Sequence, residues 1–279
     1  CVSGNSIYHF TNTAILSVEA IEAPEVITSS SFDDQLEPTL ERLGLRRGML
    51  EQVAGIKERR WWPPEVTYSE AAAQAGAKAL ETAGVSPDDI GLLIDTSVCR
   101  ARLEPSSAVF VHNELGLPPS CLNFDLSNAC LGFVNGMHLA GMMIDSGQID
   151  YALIVDAEGS RTIQERTIAR LQDPSTEATD ILSDFATLTL GSGAAGMVLG
   201  RADRNPQGHV LVGGVGRAVT EHNQLCLGDM ERMVTDSRGL LIAGLDVAEV
   251  AMKEADLEFE WDDIDHYIIH QVSTVHCDA

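Results

Sequence analysis

The chain has 279 residues, 44% hydrophobic, 22% charged and 5% aromatic, a globular composition that excludes a disordered tail, a collagen and a coiled coil. Eighteen Lys+Arg against 42 Asp+Glu leave a formal net charge of −24, which argues against nucleic acid or an anionic membrane as the main partner. No uncharged apolar window reaches the ~18 residues of a membrane span, the N-terminus CVSGNSIYHFTNT lacks a signal-peptide pattern, and six cysteines with no CxxC spacing read as reduced thiols in a cytoplasm.

In chain order, periodicity and punctuation predict a helix over 69–83, a strand over 91–98 (GLLIDTSV), a helix over 107–115 and a strand over 122–126. A helix over 130–146 follows, then a strand over 151–156 (YALIVD), a helix over 163–171, strands over 193–199 and 209–215, and a helix over 239–255. Strands alternating with helices imply an α/β architecture. The 130–146 segment is rich in Ala, Gly and Met and nearly uncharged, so its helix is expected to be buried on almost all sides.

ETAGVSPDDIGLLIDTSV near residue 90 resembles EADLEFEWDDIDHYIIHQV near residue 264, with Asp88-Asp89-Ile90 matching Asp262-Asp263-Ile264. Each follows an Ala-rich helix and leads into an apolar run, so helix, loop and strand are expected twice, as two halves of a duplicated fold. The expected division is a first half over 1–205 carrying the nucleophile segment and a second over 206–279. Far more chain follows Val98 than follows Val272, so the second half is expected to be shortened.

Within FDLSNACLGFVNGM (124–137), Cys130 stands between a short strand and a helix. Unpaired amides at a helix start favour a thiolate, and the small residues Ala129, Gly132 and Gly136 leave room for a substrate. The alternative is a structural cysteine. The segment resembles the active-site run of the ketoacyl-ACP synthase III group of the thiolase superfamily. GIKERR (55–60), EPSSA (104–108), LGLPP (115–119), DYALIVDAEGS (150–160), GSGAAG (191–196) and HQV (270–272) follow the family's order. LEPSSA, with Glu104 where fatty-acid-initiating synthases usually carry Phe, is most like the enzymes that condense two acyl-CoA chains head to head.

The resemblance implies a five-layered αβαβα thiolase-like fold and an acyl-Cys130 intermediate. It implies His270 as donor to the thioester oxygen and Glu104 as α-proton base, reaching the site from the partner subunit. The family's later catalytic Asn has no counterpart up to Ala279. Substrates are expected to be acyl-CoA or acyl-ACP thioesters, with no cofactor and no metal, in a homodimer or a heterodimer with a paralogue. The alternatives are a decarboxylating synthase III using malonyl-ACP, and a non-catalytic subunit of a condensing heterodimer. Six basic residues lie between 42 and 60, and Arg59 and Arg60 are expected to receive CoA phosphates or an acidic carrier; the alternative is a solvated helix face. The family's usual Arg two residues before Gly55 is Val53 here. GSGAAG lacks the Lys-Ser/Thr of a P-loop and reads as a turn into a strand near the nucleophile, with Gly193 a substrate-binding candidate.

Overall fold

The computed structural model describes residues 7–229, 231–255 and 260–278. Along the chain run β1 (Ile7–His9), β2 (Thr13–Glu22), β3 (Glu25–Thr28), α1 (Ser29–Leu43), α2 (Met49–Gln52), β4 (Glu58–Trp61), α3 (Tyr68–Ala83) and β5 (Ile90–Asp95). Next come α4 (Ser107–Glu114), β6 (Leu122–Asp125), α5 (Gly132–Asp145), β7 (Tyr151–Glu158), α6 (Arg161–Leu171), α7 (Ala178–Thr189) and β8 (Gly193–Arg201). The remainder comprises β9 (His209–Val210), β10 (Gly213–Val215), β11 (Cys226–Gly228), β12 (Met233–Thr235), α8 (Ser237–Ala255) and α9 (Thr274–Cys277).

A six-stranded mixed sheet, ordered β6-β5-β7-β8-β2-β9, organises these elements. β6, β5 and β7 run parallel, and β8 pairs antiparallel with both β7 and β2. The period of two along each strand divides the core. Leu93, Leu153, Val155 and Val198 face α3 and α4, whereas Leu92, Ile94, Ile154, Met197 and Leu199 face α5. Alanines and one glycine of α3 (Ala71, Ala72, Ala75, Gly76, Ala79) allow that helix to lie close to the sheet. A Cβ on Gly196 of β8 would stand 2.5 Å from the Ala75 carbonyl oxygen. Phe32, Leu36, Leu50, Trp61, Ile168, Leu171, Ile181 and Leu188 form a separate core joining α1, α2, β4, α6 and α7.

The structure departs from the expectations at several points. Helix α1 carries Pro38 inside a polar stretch, which hides a buried stripe at Phe32, Leu36, Thr39 and Leu40. The 209–215 run divides into β9, paired with β2, and β10, paired with β1. At Gly213 a Cβ would lie 2.3 Å from the Tyr8 carbonyl oxygen, so only glycine permits that change of partner. Helix α5 buries Gly132, Gly136, Ala140, Gly141 and Ile144 against the sheet, but Val134 and Met142 on other faces are about half exposed. It is an amphipathic cover, not a helix enclosed on all sides.

Of the internal repeat, helix and turn recur. Ile90 donates to the Pro87 carbonyl after one Asp-Asp turn, and Ile264 donates to the Trp261 carbonyl after the other. Residues 256–259 of the second copy lie outside the described residues. The strand does not recur: 264–272 has no regular structure, and Ile268 is 98% exposed. Among the described residues no strand pairs with this run, and an extended segment without a ladder does not make a sheet.

Candidate active site

Three parallel strands, β5, β6 and β7, end side by side, and β5 is where the order turns from one neighbour to the other. The crevice outside the carboxyl ends at such a reversal is where open α/β sheets bind ligands. Each strand closes on acid: Asp95 of β5 is paired in register with Asp125 of β6, while β7 ends in Asp156 and Glu158. Cys130 lies in the connection leaving β6.

The local chain explains its presentation. Ala129 has a left-handed backbone at φ 44°, a strained setting for a residue with a Cβ. A short 3₁₀ turn over Ala129–Leu131 is closed by Leu131 N–H donating to the Asn128 carbonyl at 3.0 Å. Asn128 also donates to the Asn135 side chain at 2.6 Å, tying the turn to the first part of α5. A Cβ on Gly132 would stand 2.9 Å from the Thr96 carbonyl oxygen, so α5 starts directly against the end of β5. The result is an exposed Cys130 one turn ahead of a helix.

The electrostatics differ from the sequence expectation. Desolvation pushes the Cys130 thiol up, and Cys226, Glu158 and Asp156 push in the same direction. These effects outweigh a backbone hydrogen bond at Cys130 that favours the thiolate, so the surroundings hold the thiol up despite the nearby helix start. At the end of β5, burial raises Asp95 to about 6, against a hydrogen bond from Ser97. Burial, then Glu158, raises Asp156 to about 6, against a bond from Thr96. Asp95 accepts from Ser97 N–H at 2.9 Å, and Asp156 accepts from the Thr96 hydroxyl at 2.8 Å. These carboxyls went unnoticed in the sequence. Their signal was an acid closing each apolar strand, in IGLLID, LNFD and YALIVDAE.

Glu104 lies in the loop between β5 and α4 and is exposed, next to Leu103 at 95% exposure. His270 is exposed within the irregular 264–272 run. A few residues on, Thr274 N–H donates to the Ala54 carbonyl at 3.3 Å, docking that run beside Gly55. No hydrogen bond or ion pair among the described residues joins Cys130, Glu104 and His270.

The basic segment is largely engaged. Arg59 is 4% exposed, donates to the Ser29 hydroxyl at 2.7 Å and lies 4.4 Å above the Phe32 ring. Burial lowers its guanidinium to about 10. A group so enclosed is turned away from any solvent-borne phosphate. Arg60 is partly exposed, with Glu22 at 3.6 Å and Glu58 at 3.7 Å. Arg47 pairs with Asp34 and Glu37. Gly193 opens β8, paired with Glu22 on one side and Glu158 on the other, so its place is inside the sheet at the foot of the crevice. Among the described residues no group of His, Cys, Asp and Glu is arranged to hold a metal ion, and no helix is long and apolar enough to cross a membrane.

Comparison with known proteins gives likenesses of sequence and fold. A family model described as 3-oxoacyl-[acyl-carrier-protein] synthase III matches residues 124–213, the cysteine turn included. The chain is 43% identical over 272 residues to the acyl-CoA:acyl-CoA alkyltransferase of Xanthomonas campestris, covering 97% of this chain and 80% of that one. It is 28% identical over 248 residues to a β-ketoacyl-[acyl-carrier-protein] synthase III of an Enterobacter species, covering 87% and 68%. A crystal structure of X. campestris OleA with bound lauric acid and lauroyl-CoA matches with a TM-score of 0.94 at 43% identity, over 96% of this chain and 80% of that one. Solved variants of that protein replace a cysteine, a glutamate preceding it by the same interval as Glu104 precedes Cys130, and a histidine further on.

Fold, cysteine turn and likenesses together define a thiolase-fold condensing acyltransferase. More narrowly, the chain belongs to the acyl-CoA:acyl-CoA alkyltransferase family, with the synthase III enzymes as more distant relatives.

Proposed function

We propose that the chain joins two acyl-CoA molecules by a non-decarboxylating Claisen condensation through an acyl group on Cys130. The observation that carries this is the exposed Cys130, held by the strained Ala129 turn at the sheet's switch point. The Cys130 sulfur, having lost its proton, attacks the first thioester carbonyl. A C–S bond forms to Cys130, the C–S bond to CoA breaks, and CoA leaves as its thiolate. Glu104 then takes the α proton of a second acyl-CoA, while His270 donates a hydrogen bond to the oxygen that gains charge. The resulting carbanion attacks the acyl-Cys130 carbonyl, a C–C bond forms, and Cys130 leaves as thiolate to give a β-ketoacyl-CoA. Burial and the nearby acids hold the Cys130 thiol up, so in this scheme a base takes its proton before the first attack.

The exposed Glu104 loop supports a dimer in which the base is lent to a partner subunit, either an identical chain or a paralogue. Partly open Arg60, on β4 with Glu22 at 3.6 Å, is the better placed of the two arginines for a CoA phosphate or an acyl carrier. A cytoplasmic setting fits thiols that must stay reduced. The test is incubation with lauroyl-CoA followed by intact mass measurement. An acyl adduct that disappears in Cys130→Ser is the expected result, and β-keto product without release of CO2 completes it. An adduct that persists in Cys130→Ser overturns the reading.

A further inference from the structure

Glu104 is carried by a loop with no regular structure between β5 and α4, yet proton abstraction demands placement to within a fraction of an ångström. The two roots of that loop are fastened unusually well. At the first, Glu158 accepts Val98 N–H at 2.7 Å on one carboxylate oxygen and Cys99 N–H at 3.1 Å on the other. Beside this fork, the Cys99 thiol donates to the Gly159 carbonyl at 3.3 Å, and Gly159 N–H donates to the Cys99 sulfur at 3.4 Å. Ala157 N–H donates to the Ser97 hydroxyl at 2.9 Å. Thus 97–99 and 157–159 stay zipped beyond the point where β5 and β7 stop pairing. At the second root, Asp125 accepts Ser107 N–H at 2.9 Å and Ala108 N–H at 2.8 Å, and Arg100 lies 3.7 Å from it.

The first fastening has a rigid mount. Glu158 pairs with Gly193 in the β7–β8 ladder, and its carbonyl accepts from the Trp62 indole at 3.0 Å. Burial, followed by Glu158, pushes the Cys99 thiol up to about 12, so it remains a donor at any working pH. Between the roots, Ala101 to Pro105 are exposed. The stretch is a short span with two fixed feet and an open apex.

We propose that Glu158 is a positioning residue for condensation: its two-pronged grip on Val98 and Cys99 sets where the loop delivers Glu104. The inference rests on the reading of Glu104 as the α-proton base. Glu158 serves the second half-reaction and not the first. Gln at 158 keeps one acceptor and turns an NH2 toward a backbone N–H, which releases one prong. Loss of that charge beside Cys130 does not hinder ionisation of the sulfur, since Glu158 opposes it.

The test uses the whole chain and lauroyl-CoA, with two readouts: CoA release as Cys130 is acylated, and formation of β-keto product. Glu158→Gln is expected to acylate within about twofold of the unaltered chain and to condense roughly tenfold or more slowly. Glu104→Gln run beside it should show the same split. Unimpaired condensation in Glu158→Gln overturns the proposal, as does a loss shared equally by both half-reactions. If Glu104→Gln condenses normally, the base assignment falls and takes the positioning role with it. If only Glu158→Gln condenses normally, the positioning role falls alone. Should Glu158→Gln not fold, Cys99→Ala, which opens the second clasp, carries the same test with the same expected split.

Discussion

A carboxyl that is 2% exposed and, among the described residues, has no ion pair is costly to ionise, and Asp95 is such a group. Its folded value of about 6 lies above the usual 3.8 because of burial, so between about pH 4 and pH 6 the folded state binds more protons than the unfolded one. Stability from this group is therefore present at low pH and lost as pH rises through 6. Asp156 acts in the same sense. Asp95→Asn keeps an acceptor for Ser97 N–H and removes the charge. It is expected to raise the melting temperature at pH 8, by on the order of 2 kcal/mol of stability, with the gain fading near pH 5. Melting curves at the two pH values check this; an equal gain at both refutes it. The opposite case is Asp184, 0% exposed but paired with Arg170 at 2.9 Å and Arg232 at 3.2 Å. Removing it in Asp184→Ala takes the shared acceptor from two partly exposed guanidinium groups and should cost about 1–3 kcal/mol in urea unfolding.

At the level of elements, the spacing of α3 from the sheet is set by what is missing from side chains. Gly196→Ala would drive a methyl into the Ala75 backbone, which cannot swing aside as a side chain can. The helix must shift, at a cost of about 1–3 kcal/mol, read as a lowered denaturation midpoint. Gly132 is tighter in consequence, since α5 and the Cys130 turn move together. Gly132→Ala pushes both away from Thr96 and should slow acylation of Cys130 more than it lowers the melting temperature. Acyl-adduct kinetics beside a melting curve separate the two effects. The start of α3 is equally explicit: Thr67 and Glu70 form a reciprocal capping box, with the Thr67 amide donating to Glu70 at 2.8 Å.

For the molecule as a whole, a net charge of −24 means self-repulsion in the folded state. Raising ionic strength from ~0.01 M to ~0.15 M shortens the Debye length from about 30 Å to about 8 Å and should raise the melting temperature. A fall would show that specific surface ion pairs outweigh the general repulsion. The same charge bears on catalysis, because acids close the strand ends and two of them, Asp156 and Glu158, help hold the Cys130 thiol up. On the proposed reaction anionic CoA is received against that field, and the engaged state of Arg47, Arg59 and Arg60 leaves Arg42, Arg46 and Lys57 of the 42–60 segment to help.

How far the sequence reaches is seen by following particular residues. IGLLID, YALIVDAE and GAAGMVLGR are strands because each is a short, nearly continuous apolar run bounded by turn signals, a local property that needs no partner to be read. The cysteine turn was legible in the same way, from small residues around Cys130 ahead of a helix. Helix α1 was not, because Pro38 and its polar neighbours mask a stripe that only the core around Trp61 makes meaningful. The burial of Arg59 was equally hidden, since a guanidinium in a sequence carries no sign of the Phe32 ring that will cover it.

Composition and local pattern thus determined the class of fold, the small-residue turn around Cys130 and the family likeness, all written in residues adjacent along the chain. Tertiary structure alone decided the ionisation of Cys130, the fork of Glu158 on Val98 and Cys99, and the inward turn of Arg59. Each depends on groups distant in sequence and near in space, where burial and hydrogen bonding, not residue type, set the energy.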